Sequence, residues 1–246
     1  MLTKLSLDKA LQSAPQETVD QLVNLYNHGQ FSTVIEQAQY LTEQYPNTFI
    51  VWNILGASSA QIGKLEEAIE AYNKSIALKP DYTIAYNNMG NVLKDQGKLD
   101  EAIEAFKKAI SLKPDYPEAY YNMGLTFHDQ GKLDKAIEAY NKSILFKPHH
   151  PEAYSNLGVA FKDQGKLDEA IEAYDKSITL KPDYVDAFSN MGVALGVQGK
   201  LNEAIEAYNK SIALKPDYAD AHMNLSLTLL NSGKLKEGLD KYEWRW

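Results

Sequence analysis

Prolines stand at Pro46, Pro80, Pro114, Pro148, Pro182 and Pro216, each 34 residues after the one before. No other feature of the sequence narrows the possible folds so far. Glycine keeps the same step at Gly29, Gly63, Gly97, Gly131, Gly165, Gly199 and Gly233, and again at Gly56, Gly90, Gly124, Gly158 and Gly192. Alanine keeps it at Ala68, Ala102, Ala136, Ala170 and Ala204. Four series in one phase describe a single structural unit repeated along the chain. Such a unit cannot bury its apolar surface alone, so neighbouring copies must stack.

Each period holds two apolar-periodic stretches of helix length, for example residues 85–93 and 99–110. Gly97 closes the first as a left-handed residue after the last turn. Asp100, Asp134, Asp168 and Asn202 are expected to cap the start of the second. Lys113-Pro114-Asp115 ends it, because proline brings no N–H and clashes with the preceding turn. Pro117 and Pro151 suit the first turn of the helix that follows. Gly90 and Ala102 would let the paired helices approach closely, and Ala109, Ser75, Ser143, Ser177 and Ser211 would do so toward the next hairpin. Tyr86, Met89, Leu99, Ile103, Phe106, Ile110 and Leu112 supply the bulk around them. The fold class is all-α.

Composition mainly excludes. No stretch approaches the roughly 20 apolar residues of a membrane helix. The first 15 residues, with Lys4, Asp8 and Lys9, lack the apolar run of a secretory signal. Cysteine is absent, which removes disulfides and cysteine zinc sites. A formal charge of −8 repels phosphate backbones. No nucleotide loop, zinc-binding helix motif or nucleophile elbow is present. The expectation is a cytoplasmic, non-enzymatic chain with no cofactor, metal, membrane or nucleic-acid partner. His149-His150 reads as turn filler, since two adjacent histidines without further ligands seldom hold a metal.

Trp52-Asn53-Ile54-Leu55-Gly56, then Ala68, Tyr72 and Pro80, resemble the signature of the tetratricopeptide repeat. Later copies put Tyr86, Tyr120, Tyr154 and Phe188 in the place of Trp52. The resemblance implies a right-handed superhelical solenoid of antiparallel helix pairs. It divides the chain into an N-terminal extension (1–14), an atypical capping repeat (15–48), five near-consensus repeats (49–218) and an incomplete C-terminal repeat (219–246). In the capping repeat Leu22 replaces the packing glycine, Val34 the alanine and Ala38 the aromatic; terminal repeats are usually atypical. The last repeat has Ser226 for the glycine and Gly238 for the alanine.

The resemblance also implies a function. The first helix of each hairpin in this family lines a concave groove where extended peptides bind. Asn88, Asn122, Asn156, Asn190 and Asn224 recur at the sixth position of successive repeats. Carboxamides both donate and accept, so a row of them can hold a peptide backbone. The row is similar to the asparagine ladder in the repeat region of O-linked N-acetylglucosamine transferases. Asn87, Asn91, Tyr121, Lys94, Lys162, Glu118 and Glu152 are expected beside it. The acids of this face read either as a groove for a partly basic segment or as solvated helix-start charge. The positions of a carboxylate clamp are held here by Asn87, Ile84, Glu118 and Asn122, which argues against capture of an acidic C-terminus.

The leading expectation is thus a scaffold that binds a protein or peptide partner. Two alternatives stand beside it. Leu235, Leu239 and Tyr242 form one stripe, and with Trp244 and Trp246 they could join chains into a homo-oligomer through the C-terminal end. The ending Tyr-Glu-Trp-Arg-Trp is also similar to a junction between such repeats and a transferase domain in bacterial proteins. This chain would then be the substrate-recruiting arm of a larger transferase.

Overall fold

The computed structural model describes residues 13–242, so Trp244, Trp246 and most of the N-terminal extension lie outside the described residues. Among the described residues there are fourteen helices and no strand: α1 (Gln16–Asn27), α2 (Phe31–Gln44), α3 (Phe49–Gln61), α4 (Leu65–Leu78), α5 (Thr83–Asp95), α6 (Leu99–Leu112), α7 (Pro117–Asp129), α8 (Leu133–Phe146), α9 (Pro151–Asp163), α10 (Leu167–Leu180), α11 (Val185–Val197), α12 (Leu201–Leu214), α13 (Ala219–Asn231) and α14 (Leu235–Tyr242). They fall into two compact units that meet in sequence within α7, at Thr126 and Phe127. Odd-numbered helices are the first of each hairpin and even-numbered helices the second.

The turn between paired helices follows from one residue. Gly97 has φ 74°, which an L side chain rarely adopts. Its N–H donates to Lys94 O at 2.8 Å and the Lys98 N–H donates to Leu93 O at 2.9 Å. This double return satisfies carbonyls that the end of α5 leaves open. The chain then enters α6 at once, with Ala102 N–H already bonded to Lys98 O at 3.0 Å. That corrects the expected caps. Lys98, Lys132, Lys166 and Lys200 precede the second helices and make no side-chain cap. Asp100, Asp134, Asp168 and Asn202 lie inside the first turn, where an acid meets the positive end of the helix dipole. Asp134 and Asp168, and Glu66 in the same first turn, take a bond from the next hairpin instead: Gln96 to Glu66 at 3.0 Å, Gln164 to Asp134 at 2.6 Å and Gln198 to Asp168 at 2.8 Å.

The packing glycines serve a ring. A Cβ placed on Gly90 would lie 2.6 Å from Phe106 Cε1, and one on Gly158 would lie 2.6 Å from Tyr174 Cε1. Gly56 and Gly192 meet Tyr72 and Tyr208 in the same way. The first helix thus gives up a side chain so that an aromatic of the second can be buried, a gain of about 1.5–3 kcal/mol per ring. The first hairpin inverts the exchange. Ala38 brings no ring, Leu22 fills the space from the opposite helix, and both are fully buried. In the last hairpin Ser226 bonds Gly238 O at 2.7 Å, and a methyl on Gly238 would meet Leu230.

Three of the recurrent serines, all fully buried, bond within their own hairpins. Ser75 donates to Phe49 O at 2.9 Å, Ser177 to Pro151 O at 2.8 Å and Ser211 to Val185 O at 3.1 Å. A buried hydroxyl needs a partner, and these carbonyls supply one. Ser143 meets His150 Nδ1 at 3.1 Å, so His150 is a buried turn residue. Turn lysines lie over the tyrosine that follows, as Lys113 over Tyr116 at 5.0 Å and Lys181 over Tyr184 at 4.7 Å.

Candidate peptide-binding face

Within each unit, successive first helices touch one another: α1, α3 and α5 in the first, α9, α11 and α13 in the second. Second helices make no comparable contact with each other among the described residues. The first helices therefore lie on the inside of each stack. Their sixth positions project into a row of half-buried carboxamides, Asn88 and Asn122 in the first unit and Asn156, Asn190 and Asn224 in the second.

The two parts of the row differ. Asn122 Nδ2 donates to Asn87 Oδ1 at 3.1 Å, and Asn88 Nδ2 reaches Asn53 Oδ1 at 3.5 Å. Asn53 and Asn87 are buried, so these amides are tied across hairpins. In the second unit the place of Asn53 and Asn87 is held by the shorter Ser155 and Ser189, which lie beside Tyr184 and Tyr218 and bring no carboxamide. Asn190 and Asn224 make no side-chain hydrogen bond within the described residues. One or two turns further along the same stripe, Val197 is 68 % and Leu227 45 % exposed.

The charged residues are largely partnered within the chain. Lys94 pairs with Asp95 at 3.3 Å and Lys162 with Asp163 at 3.1 Å. His128 Nε2 meets the other Asp163 oxygen at 2.9 Å. Burial pushes the Asp163 carboxyl upward, but hydrogen bonds and charge from His128 and Lys162 outweigh it and hold the group below its ordinary value. Glu152 lies 3.5 Å from Lys181 and 4.0 Å from His150, at the start of α9. Asp186, at the equivalent place in α11, accepts from Tyr218 at 3.0 Å. Glu118 is exposed in the first turn of α7, while Asn91 and Tyr121 are half-buried on first helices. Among the described residues no group of three or more His, Asp or Glu is placed to hold a metal, and no helix is long and apolar enough to cross a membrane.

A small cleft of about 180 Å³ joins Val23, Tyr26, Ile54 and Ala57 to Asn53 and Asn88. Sequence reasoning missed Val23 and Tyr26. The signal was there, because Val23 keeps the period of Ala57 and Asn91, yet the altered packing residues of the first hairpin hide it. On α14, Leu235 and Leu239 are 62 % and 59 % exposed, and Tyr242 is half-buried.

Models of a family described as "TPR repeat" match residues 58–97, 90–131, 124–165 and 197–233, and one described as "Tetratricopeptide repeat" matches 151–184. Together they cover more than half of the sequence. The chain belongs to the tetratricopeptide repeat family. As a tetratricopeptide array it is a scaffold suited to protein–protein interaction. A crystal structure of MamA is 30 % identical with a TM-score of 0.62, covering 67 % of this chain and 96 % of that one. YrrB, described as a TPR protein with an unusual peptide-binding site, is 23 % identical with a TM-score of 0.62, covering 80 % of this chain and 98 % of that one. The peroxisomal targeting signal receptor of Kluyveromyces lactis is 40 % identical over 90 residues, which is 33 % of this chain and 16 % of the receptor. The tetratricopeptide chain thus spans only a small part of that receptor.

Proposed function

We propose that the chain holds an extended peptide segment on its first-helix face, chiefly on α11 and α13. The observation that carries this reading is the pair Asn190 and Asn224, half-buried carboxamides with no partner of their own beside the exposed Val197 and Leu227. Each amide can donate to a peptide carbonyl and accept from a peptide N–H. The valine and leucine offer apolar contact to alternate side chains of the same strand. A partner protein would contribute this segment, and the tetratricopeptide array would contribute no chemistry of its own. The unusual peptide-binding site of YrrB and the similarity to a peroxisomal targeting signal receptor are in keeping with it. Peptides selected from a random display library on the full chain should lose about tenfold in affinity on Asn190→Ala with Asn224→Ala. Parental affinity in that variant would remove the reading.

A second reading rests on α14. Leu235 and Leu239 present apolar area on one stripe, and a second copy of the chain could cover it. Sedimentation across a concentration series should then show association that Leu235→Gln with Leu239→Gln abolishes. A parent that stays monomeric throughout sinks this reading alone.

A further inference from the structure

The side of the first unit formed by the second helices carries two clefts in the same register. One, of about 450 Å³, opens between α2 and α4 with α3 as its floor. Its floor is Trp52 and Leu55, and Glu43, Glu67 and Glu70 rim it. Ser59 stands in its wall, fully buried with its hydroxyl unpartnered. The other, of about 530 Å³, opens between α4 and α6 over α5. Tyr86 and Met89 stand where Trp52 and Leu55 do, and Glu101 and Glu104 where Glu67 and Glu70 do. In each cleft one glutamate is engaged at the surface, Glu67 by Lys64 at 3.0 Å and Glu104 by Lys107 at 2.7 Å. Glu70 and Glu101 are exposed and have no partner among the described residues.

The same cleft recurs in the second unit, and there the chain shows what fits it. In a cleft lined by Phe188, Met191, Glu203 and Glu206, Lys210 brings its ammonium 5.7 Å from the Phe188 ring centre. That cleft is reduced to about 200 Å³ and Phe188 is 9 % exposed. Lys74 and Lys108 occupy the place of Lys210 in the first unit, yet neither lies over a ring, and Trp52 and Tyr86 stay half-exposed. An aromatic floor attracts a cation through its face, carboxylates add Coulomb attraction, and a long side chain lays its apolar stem along such a floor while its charged head meets the rim.

We propose that these two clefts form a tandem site for an extended basic peptide, each cleft taking one lysine or arginine side chain. Charge complementarity and the self-filled copy at Lys210 specify the occupant. The site faces away from the first-helix face and does not depend on the asparagines there.

The probe is a set of short fluorescein-labelled Gly/Ser peptides carrying two arginines at varied spacing, with citrulline counterparts as uncharged controls, titrated into the full chain by anisotropy. One spacing should bind best, and its citrulline form should bind at least about tenfold more weakly. Glu70→Gln with Glu101→Gln should weaken the arginine peptide about tenfold. The charge-matched pair Glu17→Gln with Asp115→Asn should change it less than about twofold, because both acids are exposed and lie outside the clefts. Asn190→Ala with Asn224→Ala should leave it unchanged, which separates this site from the groove. Equal losses in the two charge-matched pairs mean diffuse attraction to an acidic protein and overturn the proposal. So does loss confined to the asparagine pair, or the absence of saturable binding at every spacing.

Discussion

The two units share one packing frame and differ on the face that the frame presents. In the first, Asn88 and Asn122 are bonded to Asn53 and Asn87, and the neighbouring surface is apolar, with Val23, Ile54 and Ala57 around one small cleft. In the second, Asn190 and Asn224 are uncommitted, and α9 carries Asp163 held between His128 and Lys162. Glycine-to-ring and alanine contacts are the same in both. Stability is therefore set by positions that hardly vary, while the presented chemistry is free to change. The same residue type at the same phase is a structural clamp in one unit and an available contact in the other.

The harshest way to break this comparison is to fill a glycine slot. Gly90→Leu and Gly192→Leu should each cost about 1–3 kcal/mol or more by displacing Phe106 or Tyr208. Segment-resolved hydrogen exchange should show protection falling in the unit that carries the change. Equal loss of protection in both units would mean that the frame is not divided as described. A gentler test exchanges the asparagines. Asn122→Ala leaves the buried Asn87 oxygen without its donor and should cost about 1 kcal/mol in thermal or urea melts. Asn190→Ala should cost less than about 0.5 kcal/mol. Equal costs would erase the distinction between clamp and free amide.

The smallest effect concerns pH. The folded Asp163 carboxyl lies below its unfolded value of about 3.9. Its contribution is therefore fully present above that value and is lost as pH falls through the lower folded value. The group is 35 % exposed, so the contribution is about 1 kcal/mol or less. Asp163→Asn should flatten the acid limb of the stability profile of the second unit and leave exchange protection in the first untouched. An unchanged acid limb would show that the pair with His128 and Lys162 is solvated.

The phase of proline, glycine and alanine was enough to read helix number, pairing and the left-handed turn at Gly97. It could not place the caps, because the tight turn through Lys98 starts the helix one residue before the acids expected to cap it. Nor could it tell clamp asparagines from free ones. That depends on whether Asn or Ser stands at the fifth position one hairpin earlier. The serines were legible as small and buried, but their carbonyl partners belong to the first turn of the helix they pack against. The second-helix clefts escaped because their glutamates look like ordinary exposed helix charge until the floor of Trp52 or Tyr86 is seen beneath them.

The glutamine ties Gln96 to Glu66, Gln164 to Asp134 and Gln198 to Asp168 always join residues 30 apart, from one hairpin to the next. Contacts of this kind are indifferent to how many hairpins the array has. Duplicating or excising one whole period leaves every interior tie with an equivalent partner, whereas inserting a single residue between the paired positions displaces one of them. The ancestral gene could thus change length only in whole periods without losing its joints, and a designer lengthening the array inherits the same rule.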